Sequence, residues 1–189
     1  MELNNDFEVS APIEKVWEVI NDVELIAPCL PGAQLEEVEG DEYKGFVKVK
    51  VGPITAQYKG VAKFVEKDDS NHRVVIRGEG RDTRGAGNAA ADITASLEST
   101  EEGTRVNVVT DLKITGKVAQ FGRGVMADIS KKLMGQFAEN LSELVLSEGG
   151  ESQDSQSEDP EAIDLLSVAG SSIGKKLVPE WIRNRQKKT

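Results

Sequence analysis

Between residues 35 and 114 the chain alternates apolar and polar positions with a period of two, and from 117 to 146 the period lengthens to three or four. Val47, Val49 and Val51 alternate with Phe46, Lys48 and Lys50. Beyond a turn at Gly52-Pro53, Ala56, Tyr58, Gly60, Ala62 and Phe64 share one face of the next strand. Val74 and Ile76 continue the pattern, as do Ala89, Ala91, Ile93, Ala95 and Leu97. After a turn at Glu102-Gly103 come Val106, Val108, Thr110, Leu112 and Ile114. Consecutive strands with turn-sized gaps predict an antiparallel meander. Upstream, Leu3, Phe7 and Val9 predict a short strand. Ser10, Pro12 and Glu14 mark a helix start, and Ile13, Val16, Trp17 and Ile20 lie on one helical face. Asn21 and Asp22 break this helix, and Val23 to Ala27 predict a second, short one that stops at Pro28 and Pro31.

The segment from about Lys117 to Leu146 predicts the longest helix, with Val118, Phe121, Val125, Ile129, Leu133, Phe137, Leu141 and Leu144 on one stripe. That stripe needs an apolar surface to bury against, and the concave face of the sheet is the only large one. The fold class expected is therefore α+β, a curved antiparallel sheet wrapped around a long C-terminal helix. Several inward strand positions are small (Ala56, Gly60, Ala62, Gly78, Gly80, Ala89, Ala91, Ala95), and small residues recur at Gly116, Ala119, Gly122 and Gly124. With aromatic residues at only 5%, there is little to fill the space opposite them. Either the helix lies very close to the sheet or an apolar cavity remains. A deeply curved sheet cannot touch one helix everywhere, which favours the cavity.

Charge divides the chain into three. The whole is net −10. Residues 148–164 hold seven carboxylates and no Lys or Arg, whereas residues 165–189 hold six basic side chains against Glu180, which leaves residues 1–147 at −8. A domain of that sign does not invite nucleic acid. The expected organisation is a domain at 1–147, an acidic disordered linker at 148–162 and a basic amphipathic tail at 163–189. In that tail Leu166, Ala169, Ile173, Leu177 and Trp181 recur at helical spacing beside Lys175, Lys176, Arg183, Arg185, Lys187 and Lys188. This predicts a separate C-terminal amphipathic helix suited to an anionic membrane surface, with Leu166, Ile173, Lys175, Lys176, Leu177, Trp181, Arg183 and Arg185 as the contacts. Docking on the chain's own domain or on a partner protein is the alternative. Crossing a bilayer takes about 20 consecutive apolar residues, and polar positions interrupt the run. The opening MELNNDFEVS is not a secretory signal, and Cys29 is the single cysteine, so a cytoplasmic protein at the inner membrane face is expected.

Catalytic chemistry is sparse. His72, the one histidine, sits in SNHR and reads as a solvated turn residue. Cys29, between Pro28 and Leu30, reads as a buried or lip-lining side chain rather than a nucleophile. The glycines of RGEGRDTRGAGN lead from strand to strand and not into a helix, unlike a phosphate-cradling loop; a mobile loop over the cavity mouth is the reading adopted. No spacing of carboxylates or histidine suggests a metal site.

Three separated runs carry a family likeness. PCLPGAQLEEVEGDEY at Pro28 to Tyr43, KVGPITAQYKG at Lys50 to Gly60 and GKVAQFGRGVMADISKKLMGQF at Gly116 to Phe137 together resemble the carbon monoxide dehydrogenase CoxG family, within the START-like helix-grip superfamily called SRPBCC. The resemblance spans essentially all of 1–147. It implies a helix-grip fold and a nonenzymatic accessory protein of a carbon monoxide dehydrogenase-type molybdenum hydroxylase. It further implies recruitment of that enzyme to the membrane and a respiratory isoprenoid quinone, menaquinone or ubiquinone, as a hydrophobic ligand with no covalently bound cofactor. The residues expected to line the cavity are Trp17, Ile20, Cys29, Leu30, Tyr58, Phe64, Ile76, Phe121, Val125, Met126 and Ile129, with Tyr58 the best single candidate to bond a ligand carbonyl and a core tyrosine bonded to backbone as the alternative. A docking adaptor with a filled core, and a cyclase or hydrolase of apolar small molecules, are the alternatives.

Overall fold

The computed structural model describes residues 1–147 and the backbone of residues 163–164. Strand β1 (Glu2–Val9) leads into helices α1 (Ile13–Ile20) and α2 (Val23–Ile26) and a 3-10 turn at Ala27–Cys29. Six strands follow: β2 (Ala33–Glu39), β3 (Glu42–Val51), β4 (Ile54–Asp68), β5 (Arg73–Asp82), β6 (Asn88–Thr100) and β7 (Gly103–Ile114). A second 3-10 turn at Val118–Phe121 precedes helix α3 (Gly122–Leu146), and β8 (Ile163–Asp164) closes the described chain. The period-two runs are therefore strands and the terminal stripe is helical, as the sequence predicts. Helix α1 is closed at its C-terminus by Asn21, whose N–H donates to the Trp17 carbonyl at 3.2 Å. Asp22 does more than break the helix: its side chain caps α2, accepting from the Glu24 and Leu25 N–H groups at 3.0 and 3.2 Å.

The strands form one antiparallel sheet in the order β1-β7-β6-β5-β4-β3-β2. The meander from β2 to β7 needs only short turns, but β1 pairs with β7, from Glu2 against Asp111 to Val9 against Thr104. The connection from β1 to β2 must cross from one edge of the sheet to the other, and α1, α2 and the first 3-10 turn make that crossing. Bulges between Leu35 and Glu37 and between Phe64 and Glu66 add local twist. Helix α3 lies closest to β1 and to the turn at Ala27–Cys29, where Asn140 Nδ2 donates to the Cys29 carbonyl at 3.0 Å.

The long helix differs from the sequence expectation at its start. Val118 and Phe121 keep the apolar spacing, yet they belong to the 3-10 turn, and Gly122, with φ 74°, breaks the run where that turn meets the first residue of α3. That backbone conformation strains any residue with a Cβ. Buried apolar residues then separate into two clusters. One gathers Val9, Val16, Trp17, Leu97, Leu141 and Val145 under the C-terminal half of α3. The other gathers Val51, Ala56, Val118, Met126 and Ile129 at its N-terminal end. Thr104, fully buried among the first set, donates its hydroxyl to the Ala11 carbonyl at 2.8 Å. Leu141 has no exposure, so truncating it leaves a hole in packed surroundings. Leu141→Ala is expected to lower unfolding free energy by about 2–5 kcal/mol, read from urea denaturation with an unchanged slope.

Candidate functional site

Two consecutive rows across the middle of the sheet carry almost no side chain. In one, Gly45, Gly60, Gly80 and Ala89 stand side by side from β3 to β6 before Ile114 on β7. In the next, Ala62, Gly78 and Ala91 lie between Tyr43 on β3 and Leu112 on β7. On one side of this floor, Phe64, Ile76 and Ile93 belong to the first apolar cluster; on the other, Tyr58, Leu112 and Ile114 belong to the second. Helix α3 passes from the second cluster to the first over Leu133, Met134 and Phe137, and all three are only partly buried. Side chains that faced a filled core would be closed off there. A Cβ added at Gly78 would meet no atom within 4 Å, so open space lies above that strand.

Two of the glycines are demanded by backbone geometry. A Cβ at Gly45 would stand 2.2 Å from the Gln34 carbonyl oxygen, and one at Gly60 would stand 1.8 Å from that of Glu79. The paired strands turn so sharply here that no side chain fits, which is how the sheet curls around the space.

Tyr58 and Asp82 face each other across β4 and β5 at the margin of the floor. Burial raises the Tyr58 phenol above its ordinary pKa, and the Asp82 carboxylate raises it further. The phenol therefore stays protonated, and it makes no hydrogen bond among the described residues, leaving it a donor at the edge of an apolar space. Asp82 is buried, with Oδ1 accepting the Arg84 N–H at 2.8 Å.

The sequence-derived lining residues fall into three places. Trp17, Ile20, Phe64 and Ile76 join the first cluster, whereas Tyr58, Phe121, Val125, Met126 and Ile129 join the second. Cys29 and Leu30 lie at the turn beneath the C-terminal half of α3, Cys29 buried and Leu30 half-buried. The Trp17 indole N–H donates to Asp69 Oδ1 at 3.0 Å, and its ring meets His72 edge-on at 5.4 Å between centroids. His72 is thus half-buried packing at a tight turn with φ 46°, where a solvated residue was expected. Burial pushes the Cys29 thiol up, and its hydrogen-bond partner is the Leu25 carbonyl at 3.7 Å. Leu166, Ile173, Lys175, Lys176, Leu177, Trp181, Arg183 and Arg185 lie outside the described residues.

Sequence reasoning passed over Tyr43, which ends one row of the floor and stacks edge-on to Phe64 at 5.9 Å. The signal was present, since Tyr43 and Gly45 share parity with Val47 and Val49. Tyr43 also lines a groove of about 520 Å3 between α1–α2 and the β2–β3 and β4–β5 turns, with Trp17, Val23, Val38 and Lys67. The glycine-rich loop after β5, expected to be mobile, is tied down instead. Gly87 accepts from the Asp82 N–H at 2.9 Å, Gln57 from the Thr83 N–H at 2.8 Å and Ala86 from the Lys117 N–H at 3.3 Å. A Cβ at Gly116 would lie 1.6 Å from the Ala86 oxygen, so these backbones touch.

Among the described residues no His, Cys, Asp and Glu group is placed to hold a metal ion. No described helix is long and apolar enough to cross a membrane. A curved antiparallel sheet closed over a long C-terminal helix, with a glycine and alanine floor between two packed ends, defines a helix-grip domain. The chain belongs to the carbon monoxide dehydrogenase CoxG family, which it matches over residues 6–146. Among solved structures, a conserved protein of Geobacillus kaustophilus is similar at 20% identity, covering 77% of this chain and 95% of its own, with a TM-score of 0.68. A Thermus thermophilus protein aligns at 18% identity over 79% of this chain and all of its own, TM-score 0.58. Norcoclaurine synthase from Thalictrum flavum, in complex with dopamine and hydroxybenzaldehyde, aligns at 17% identity over 79% and 88%, TM-score 0.53. These identities speak for the fold alone. No curated protein matches the sequence.

Two expectations follow. Gly78→Leu should fold with stability within about 1 kcal/mol of the parent, because its Cβ enters open space in an ordinary strand conformation, while weakening binding of an apolar fluorescent dye. Equal dye affinity in the two proteins would show that the space above Gly78 is not the binding region. Cys29 should react with a thiol reagent far more slowly in the native protein than in urea. Between the ordinary thiol pKa and the raised one, the unfolded chain holds fewer protons than the folded chain, so stability should also fall as pH rises through that window.

Proposed function

We propose that this domain carries a long apolar ligand of the isoprenoid quinone class, menaquinone or ubiquinone, and that the protein serves a carbon monoxide dehydrogenase-type molybdenum hydroxylase at the membrane. Family membership supports the accessory role. The observation that supports ligand binding is the glycine and alanine floor of Gly45, Gly60, Ala62, Gly78, Gly80, Ala89 and Ala91 between two separately packed apolar clusters. Such a floor suits a ligand with an apolar body, and the Tyr58 phenol at its margin would be the donor to a ligand carbonyl oxygen. The alternating apolar and cationic positions of residues 165–189 support attachment to an anionic membrane surface, and a single interfacial helix would give reversible adhesion suited to a carrier.

A nonenzymatic role accords with the chemistry in reach. The only histidine packs against Trp17, and the only thiol is held in its protonated form. A soluble oxidoreductase must pass electrons to a quinone that water excludes, and a carrier with an apolar interior bridges the two phases.

The deciding experiment is the native mass of the protein purified without detergent, followed by extraction of whatever it holds. A stoichiometric isoprenoid quinone is the expected result, with its amount reduced in Gly78→Leu. An apo mass that stays unchanged after incubation with quinones would discard the carrier and leave a docking adaptor.

A further inference from the structure

Asp82 is the one charged side chain buried among the described residues, at 7% exposure. It ends the face of β5 that carries Val74, Ile76, Gly78 and Gly80, which puts its carboxylate on the side of the sheet turned toward α3. A carboxylate withdrawn from water needs a cation or several hydrogen-bond donors to offset the lost hydration. Asp82 has neither. It forms no ion pair among the described residues, and Arg81 and Arg84 beside it in the chain are exposed. Its side chain takes one hydrogen bond, from the Arg84 N–H to Oδ1 at 2.8 Å. Oδ2 accepts none among the described residues, yet it is not sealed in, since Asn21 Oδ1 is the only enclosed side-chain oxygen or nitrogen among them without a partner.

Tyr58 stands directly opposite on β4, and its hydroxyl, also without a partner among the described residues, is likewise not enclosed. Both side chains border the row of Gly45, Gly60, Gly80 and Ala89. The two groups differ in what they bind. A phenol donates a hydrogen bond and can accept one, whereas a carboxylate only accepts. Directly opposed residues hold their Cβ atoms about 5 Å apart, so one ring with two oxygen substituents can meet both groups. A quinone offers carbonyl oxygens alone: Tyr58 can donate to one, but Asp82 is left unpaired against another lone pair. Two electrons and two protons turn both carbonyls into hydroxyls, and each hydroxyl both donates and accepts. The reduced ring can therefore satisfy the phenol and the carboxylate together.

We infer that Asp82 sets the form of ligand the site prefers: its free carboxylate oxygen accepts a hydrogen bond from a hydroxyl of the head group, so that the domain holds the hydroquinone form of an isoprenoid quinone more tightly than the quinone. This inference rests on the carrier role proposed above and adds to it the redox form that is selected. Hydrogen bonds to charged groups are the strong ones, and a buried carboxylate left unpaired penalises the form that lacks the donor. The affinities should therefore differ by about ten-fold or more. Each ten-fold raises the midpoint potential of the bound two-electron couple by about 30 mV, so a quinone held here is easier to reduce than the same quinone free.

The test uses the full chain and anaerobic equilibrium dialysis with a menaquinone bearing two isoprene units, its hydroquinone, and the dimethyl ether of that hydroquinone. The hydroquinone should bind about ten-fold or more tightly than the quinone. In Asp82→Asn, which keeps an acceptor for the Arg84 N–H and adds an amide donor, that ratio should fall to about one or below. The dimethyl ether has the reduced ring without its O–H donors and should bind the unaltered chain no better than the quinone, a comparison that does not depend on the variant folding. Equal affinity for quinone and hydroquinone in the unaltered chain, an unchanged ratio in folded Asp82→Asn, or an ether that binds as tightly as the hydroquinone overturns the role of Asp82 while leaving the carrier standing. Absence of binding by all three compounds overturns both.

Discussion

The small residues in mid-sheet constrain everything else in this molecule. At Gly45 and Gly60 a Cβ would lie within 2.2 Å of a neighbouring carbonyl oxygen, so the strands can bend there only if no side chain is present. The bend curls the sheet, and the same absence of side chains leaves nothing on the floor to reach α3. Burial must therefore be completed elsewhere, and it is completed twice, once around Leu141 and once around Ile129. Close packing at both ends holds the helix at a fixed height over the middle. The open space above Gly78 is thus framed by the two packed ends. The proposed carrier role would require loaded and empty forms to share that one frame.

Much of this was legible as periodicity. Strands of ten or more residues with strict alternation leave few options, and the small inward positions from Ala56 to Ala91 mark the floor in the sequence itself. Three features escaped for physical reasons. Gly122 interrupts the helix without disturbing the apolar spacing, because a 3-10 turn and an α-helix both return a side chain to the same side after three or four residues. The pairing of β1 with β7 is non-local, and nothing in either strand names its partner. Burial also depends on which end of the helix a residue occupies: Trp17 and Ile129 are both apolar and inward, yet they sit in different clusters. A one-dimensional stripe cannot report that division.

The perturbed titratable side chains around the floor are shifted away from acid–base work. The site's surfaces are aliphatic and aromatic, and Tyr58 at the margin is a phenol whose ionisation burial opposes. General acid–base work calls for a group that gains and loses a proton near the working pH. Tyr58 is moved in the wrong direction for a base, Cys29 in the wrong direction for a nucleophile, and His72 is committed to Trp17. The fold is shared with norcoclaurine synthase, so the scaffold itself permits catalysis in other sequences. What differs is the side chains set around the floor, and function follows those.

Under the proposed carrier role, an apolar ligand has to enter at one end of the floor. The second apolar cluster, with Val51, Val118 and Phe121, lies toward the end formed by the β3–β4 turn, the β5–β6 loop and the link from β7 to α3. The groove beside Tyr43 lies at the opposite end and is bordered by Glu18, Asp22, Glu24 and Asp69. The two ends therefore differ in what borders them, apolar packing at one and carboxylates at the other, and desolvating an apolar body next to charged groups is the less favourable route.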